Sequence, residues 1–242
     1  MKQTENTVIV LHTANYREAD RMLTLFSPVR GRMEAIARGC RRPKSPLLNA
    51  AEIFALGDYE LFEKNGRYTV VSASLIETFY PLRMDYERLT CGTYLLGLCN
   101  AVIQPGENAQ NLFMLLLHTL SRLTFTDQEW RPLLCGFLIH FAQDQGVRPR
   151  LRHCIRCSRS IPQEENCFFD LREGGVVCRS CHMKEDVPVS AAQRLFLEEA
   201  LQEGSASWVN TPERHAPFGM MRKYVETQLG SRLKSGLMLP DE

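Results

Sequence analysis

IFALGDYELFEKNGRYTVVSAS, residues 53–74, holds two runs of β-branched and aromatic residues on either side of Lys64-Asn65-Gly66. Asn-Gly supplies the positive φ angles that a tight hairpin turn requires, so the stretch predicts two antiparallel strands, 53–63 and 67–74. Three runs of the same texture lie upstream: NTVIVLH at 6–12, RMLTLFS at 21–27 and GRMEAIAR at 31–38, the last two joined by the turn-forming SPVRG. Five strands before residue 80, with no helix-length insert, predict a small closed or nearly closed antiparallel barrel, because an open sheet of this size leaves two edges to protect. An OB-type and an SH3-like barrel both fit the pattern.

Beyond Pro81 the apolar period changes from two to three or four. Residues 83–103, 109–124 and 128–145 predict helices separated by QPGEN and FTDQ, and LFMLLLHTL within the second predicts a helix surrounded by others. Ser190, with Gln193 three residues on, forms a capping-box signature for a helix running to about Leu201. A final helix near 218–236 aligns Met221, Val225, Leu229 and Leu233, with Arg222, Lys223, Arg232 and Lys234 on its other side and ends. The expected fold is multi-domain α+β: an N-terminal five-stranded OB-type barrel over 1–80, a helical body over 81–150, a cysteine module over 151–185, and C-terminal helices over 186–242 that pack with the helical body.

The chain has 242 residues, 44% of them apolar, enough for a sizeable core. Lys plus Arg total 29 against 28 Asp plus Glu, so a basic surface can arise only from uneven placement. The N-terminus lacks the apolar run of a signal peptide, and no stretch is long enough to span a bilayer. The expectation is a cytoplasmic protein without a membrane partner, and nine cysteines in that setting are read as reduced thiols or metal ligands.

Four of them have ligand spacing. Cys154-x2-Cys157 and Cys178-x2-Cys181 make two knuckles whose thiolates fit the corners of a tetrahedron, the geometry zinc prefers. Four protein ligands leave no open position, so one structural Zn2+ is expected. His182 is ranked behind Cys181, and Cys167 is expected to pack beside Phe168 and Phe169. Cys40, Cys91, Cys99 and Cys135 are expected in or near the core.

Two acid-free runs concentrate positive charge. RGCRRPKS at 38–45 presents Arg38, Arg41, Arg42 and Lys44 after a strand, with Gly39, Pro43 and Pro46 preventing helix or continued strand. A loop of this kind can follow a phosphate backbone. RPRLRHCIRCSR at 148–159 carries Arg148, Arg150, Arg152, Arg156 and Arg159. Arg17 and Arg21, four apart with Glu18 and Asp20 between them, lie on a polar segment that either joins the same surface or pairs its own charges. Tyr16, Tyr59, Phe62 and Tyr68 are candidate base-stacking aromatics, with core packing the competing role for Phe62 and Tyr68. Phosphate-cradling glycine loops, HExxH and GxSxG are absent, and Asp85 and Glu87 beside Arg88 make only a weak carboxylate pair. The chain therefore reads as a non-enzymatic binding protein; a zinc-containing scaffold for partner proteins, with incidental DNA contact, is the competing reading.

The order of these features resembles the RecO family of bacterial DNA repair proteins. The likeness rests on Tyr16, Arg17, Glu18 and Asp20 leading into MLTLFSPVRG, and on Arg38, Gly39, Arg41, Arg42, Lys44 and Ser45 as an RGxRRxKS segment. It continues through the cysteine quartet to RKYVETQLGSRLKS at 222–235. Cys40 stands where many members have a small residue such as alanine, and if exposed it would make the loop sensitive to oxidation. The resemblance implies binding of single- and double-stranded DNA, annealing of complementary strands, and help in loading RecA onto DNA coated by single-strand binding protein. It further implies RecR, the C-terminal tail of single-strand binding protein and RecF as partners, and a cytoplasmic, nucleoid-associated location. It makes Arg38, Arg41, Arg42 and Lys44 the leading DNA contacts and Arg17 and Arg21 weaker ones.

Overall fold

The computed structural model describes residues 2–202, 216–230 and 239, and divides the chain into two compact units, Met1–Leu120 and Ser121–Glu242. Among the described residues no helix is long and apolar enough to cross a membrane.

The first unit opens with five strands, β1 (Lys2–Tyr16), β2 (Asp20–Ser27), β3 (Gly31–Ala37), β4 (Leu56–Lys64) and β5 (Arg67–Glu77), closed into a barrel in the order β1-β2-β3-β5-β4. The parallel pairing of β3 with β5, through Ala35↔Tyr68 and Ile36↔Thr69, fixes the OB-type topology that the hydrophobic pattern left open. β1 is long enough to serve two neighbours: Lys2–Ile9 pair with β4, and Ile9–Tyr16 pair with β2 across an irregularity between Val10 and His12. A strand that changes partner in this way bends where the ladder is broken, and the bend is what closes a small barrel. The period-two pattern of the sequence places Val8, Val10, Leu23, Leu25, Met33, Ala35, Tyr59 and Leu61 in its core.

Strand limits differ from the sequence reading at both ends of the barrel. β1 and β5 are longer, and β4 begins at Leu56 rather than Ile53 because Phe54 takes a left-handed φ of 68°. Tyr59 is wholly buried and its hydroxyl donates to the Ala50 carbonyl at 2.6 Å, so it is a core residue and offers no face to a base.

A 3-10 turn over Tyr80–Met84 leads into α1 (Tyr86–Val102). Asp85 caps α1, its side chain accepting from the Arg88 N–H at 3.1 Å, which gives that carboxylate a structural task. α2 (Gln110–Phe125) is amphipathic, not surrounded as LFMLLLHTL predicts: Leu112, Phe113, Leu116 and Leu120 are buried, while Met114 is 57% exposed. The α1–α2 connection is stitched to the β2–β3 turn by Arg32 N–H to Gln104 carbonyl, Gly106 N–H to Arg30 carbonyl and Ala109 N–H to Pro28 carbonyl.

In the second unit α3 (Trp130–Asp144) is the surrounded helix, buried from Pro132 through Ile139. A small sheet follows, β6 (Cys167–Asp170), β7 (Gly175–Val177) and β8 (Val187–Val189), with β6 in the centre. α4 (Ala191–Gln202) opens with the capping box: Ser190 Oγ accepts from Gln193 N–H, and Gln193 Oε1 accepts from Ser190 N–H. α5 (Phe218–Leu229) packs on α3, with Phe218 edge-on to Trp130. Arg222, assigned by pattern to the polar side, is buried instead, and Nη1 donates to the Leu239 carbonyl. Arg232, Leu233 and Lys234 of the predicted last turn lie outside the described residues.

Candidate nucleic-acid interface and metal centre

The segment between β3 and β4 is a succession of tight turns closed by Arg42 N–H to Gly39 carbonyl, Ser45 N–H to Arg42 carbonyl, and Leu48 N–H to Ser45 carbonyl. Gly39, at φ 64°, makes the first of these turns available without strain. Cys40 points into the barrel core with Leu47, Ala50 and Ala51, and burial pushes its thiol pKa up. It is therefore an anchor and not an exposed, oxidisable thiol. Arg38, Arg41, Arg42 and Lys44 all remain exposed on the anchored loop.

The β1–β2 turn braces this loop from the side. Asp20 Oδ1 accepts from the Gly39 N–H at 2.7 Å, Arg41 N–H donates to the Ala19 carbonyl at 3.0 Å, and Arg41 Nη1 donates to the Glu18 carbonyl at 3.0 Å. Arg17, at φ 55° on the tip of that turn, is exposed beside Tyr16, its guanidinium 5.2 Å from the ring centroid. Two stretches twenty residues apart in sequence thus build one cationic surface. Arg21 stands apart from it: Nη1 is shared by Glu52 and the Ala51 carbonyl, and this pairing compensates its charge within the chain.

The second basic run lies in the other unit. Arg148, Arg150 and Arg152 are exposed and, with His153 and Glu198, line an open cleft of about 500 Å3. Arg150 donates to the Glu173 carbonyl, and Arg152 lies 3.6 Å from Glu198. Arg156 and Arg159 are both paired with acids of the same unit. Arg159 pairs with Glu165, and Arg156 bridges Asp186 and Asp170 at 2.6 and 2.8 Å while donating to the Cys181 carbonyl at 2.7 Å. Asp170, despite a burial cost that raises it, is held below the usual carboxylate range by the N–H groups of Glu173 and Arg172 and by Arg156.

The knuckles converge. The Sγ atoms of Cys154, Cys157, Cys178 and Cys181 all lie within 4.8 Å of one another, with Cys157 and Cys178 3.8 Å apart. A tetrahedron with zinc–sulfur bonds of about 2.3 Å has sulfur–sulfur edges of about 3.8 Å. Charge fits as well as size. Burial acts to raise the Cys154 thiol, yet the N–H groups of Cys178, Cys157 and Arg156 outweigh it and lower the pKa to about 6. Cys181, hydrogen-bonded to Cys178 and Cys157, is pushed up to about 12. Four neighbouring sulfurs cannot all be thiolates without a cation among them, and a dication satisfies that requirement. The quartet is a structural zinc site, held by a knuckle before β6 and another directly after β7.

Cys167 is buried outside the quartet, and Cys91, Cys99 and Cys135 are core residues. His182 supplies no ligand; its ring stacks on Phe168 at 4.1 Å and Nδ1 meets the Arg179 carbonyl. What sequence reasoning missed is the bracing role of Asp20 and the clamp of Arg156. The Asp20 interaction had a signal in the acid set next to the β1–β2 turn, whereas Asp170 and Asp186 lie 14 and 30 residues from Arg156.

An OB-type barrel with an exposed cationic loop, joined in one chain to helices and a four-cysteine zinc module, defines a zinc-containing nucleic-acid-binding class of protein. Family models narrow it: residues 1–79 match "Recombination protein O N terminal" and residues 83–237 match "Recombination protein O C terminal". The chain is 33% identical over 181 residues to DNA repair protein RecO of Acetivibrio thermocellus, covering 75% of this chain and 71% of the relative. It is 32% identical over 238 residues to that of Streptomyces griseus, covering 94% of each. With RecO of Anaeromyxobacter dehalogenans it shares 30% identity across all of this chain and 97% of the relative. The chain belongs to the RecO family, and so to the non-enzymatic, DNA-binding mediators of recombination.

Proposed function

We propose that the chain binds DNA through Arg38, Arg41, Arg42 and Lys44, anneals complementary strands, and helps load RecA onto single-stranded DNA coated by single-strand binding protein. One observation supports this most: four exposed cations on a loop whose backbone is fixed by Cys40, Gly39 and the Asp20 brace. Phosphates are neutralised there without base contacts, so two like-charged strands can approach while base pairing supplies the specificity. Arg17 extends that surface, and Arg148, Arg150 and Arg152 offer a second one on the zinc-bearing unit. Arg21 is the weakest of these contacts because Glu52 already occupies it. RecR, RecF and the C-terminal tail of single-strand binding protein are the partners this reading requires, in a cytoplasmic, nucleoid-associated setting.

The test is single-strand affinity across a salt series for the wild type and for the combined Arg41→Ala, Arg42→Ala, Lys44→Ala variant. Three lost phosphate contacts reduce the slope of log affinity against log salt by about two units. An unchanged slope in a folded variant refutes the assignment. Annealing of complementary oligonucleotides, with and without single-strand binding protein, tests the mediator role separately.

A further inference from the structure

Only the start of β5 closes the barrel, and the rest of that strand has one edge without a strand partner. β5 pairs with β4 from Arg67 through Glu77, but its other edge meets β3 only at Tyr68 and Thr69. β3 ends at Ala37, where the chain turns off into the basic loop. Among the described residues, no strand pairs with the far edge of residues 71–77.

Edges of this length are ordinarily protected by charge, proline or a covering segment. Val70–Ile76 reads VVSASLI, with neither charge nor proline. Val71, Leu75 and Ile76 are 51%, 37% and 59% exposed, and Tyr80, Met84 and Tyr86 directly downstream are exposed further still. Single exposed apolar residues need no explanation; here six lie within residues 71–86.

We propose that this edge accepts an extended segment of a partner protein as an added strand, and that the segment carries acidic residues where it meets the basic loop. Ile36↔Thr69 is the last β3–β5 pair, and Arg38 follows Ile36 by two residues, where the chain leaves the sheet. A strand laid along residues 71–77 therefore begins beside the point where β3 gives way to the acid-free loop that carries Arg38, Arg41, Arg42 and Lys44. Main-chain pairing supplies affinity and the cations select charge. A second copy of this chain is disfavoured, since edge-to-edge pairing would bring two such loops onto one short sheet. A nucleic-acid strand lacks the alternating N–H and C=O groups that continue a β-ladder. The inference stands on the open edge and does not depend on the loop holding DNA, although both occupants would compete for Arg38.

Amide hydrogen exchange on the full chain decides it. The probe is a synthetic peptide with a core of roughly six alternating valines and threonines flanked by aspartates; the control carries lysines in their place. The expected result is slowed exchange at residues 71–77 with the aspartate peptide and about tenfold weaker binding of the lysine peptide. Val71→Glu with Ile76→Glu should abolish the protection. Should that variant misfold, Arg41→Ala with Arg42→Ala and Lys44→Ala leaves the edge intact, and should remove the preference for aspartate over lysine flanks. No protection at 71–77, equal binding of both peptides, or self-association that protects the same amides without peptide overturns the proposal. Affinity for a short single strand, measured without peptide, reports the DNA reading independently.

Discussion

Arg156 belongs by sequence to a run that could hold phosphate, and by structure to the zinc module. Its guanidinium joins Asp170 on β6, Asp186 after the second knuckle and the Cys181 carbonyl, so one side chain ties together the elements that carry both pairs of ligands. Asp186 is 2% exposed, and removing its partner leaves a buried charge uncompensated. Arg156→Ala should destabilise the second unit by about 2 kcal/mol, discounted from the fully buried case because the arginine is itself partly exposed. It should also release zinc faster to a chromogenic chelator. Arg156→Lys should not restore the wild-type rate, because an ammonium cannot reproduce the forked contacts to two carboxylates. Unaltered zinc release in Arg156→Ala would show that Arg156 does not clamp the two knuckles. The four cysteines were legible because two Cys-x2-Cys pairs state their ligand geometry locally. The clamp was not, since a charge run reports cations and says nothing of acids brought in by folding.

The same distinction holds between elements. Five strands could be read from period-two patterning and an Asn-Gly turn, but the parallel β3–β5 closure that separates an OB-type from an SH3-like barrel is a long-range pairing with no local mark. α2 was misread for a related reason: a run of leucines shows that a helix is apolar, not which of its faces meets a neighbour. The brace on the basic loop gives a prediction whose sign is informative. Asp20→Ala removes a negative charge beside four cations, which by Coulomb attraction alone should strengthen DNA binding. It also removes the acceptor that fixes Gly39, and loss of preorganisation should weaken binding, by about threefold to tenfold. Asp20→Asn keeps an acceptor and loses the charge, so it should bind at least as well as the wild type. Titration of a short single strand into both variants separates the two effects; tighter binding by Asp20→Ala would show that the brace does not position the loop. Gly31 makes a second point of this kind. At φ 62°, with a Cβ there directed into the Gln104 carbonyl, Gly31→Ala should lower stability by about 2 kcal/mol or more, read as a reduced denaturation midpoint.

At the scale of the molecule, nearly equal numbers of acids and bases confine any DNA affinity to local surfaces, and the one proposed as principal lies on the barrel while the metal belongs to the other unit. Removal of zinc should therefore separate stability from DNA binding. Each thiolate of the quartet depends on the cation to offset its neighbours, and β6, β7 and β8 form a sheet too small to be stable by itself. After chelation, amide protection should fall from Cys154 through Val189, while the barrel amides of β1, β2 and β4 keep theirs. Single-strand affinity should drop only by the share carried by Arg148, Arg150 and Arg152, leaving the salt slope due to Arg38, Arg41, Arg42 and Lys44. If all four contact phosphate as proposed, that residual slope should be about −3, taking about −0.7 per phosphate on a single strand. The combination of measurements is discriminating. If chelation abolished binding while the barrel stayed protected, the principal DNA surface would have to be the cleft beside the zinc knuckle and not the loop after β3. If barrel protection collapsed together with the zinc module, the metal would support the whole chain instead of one unit.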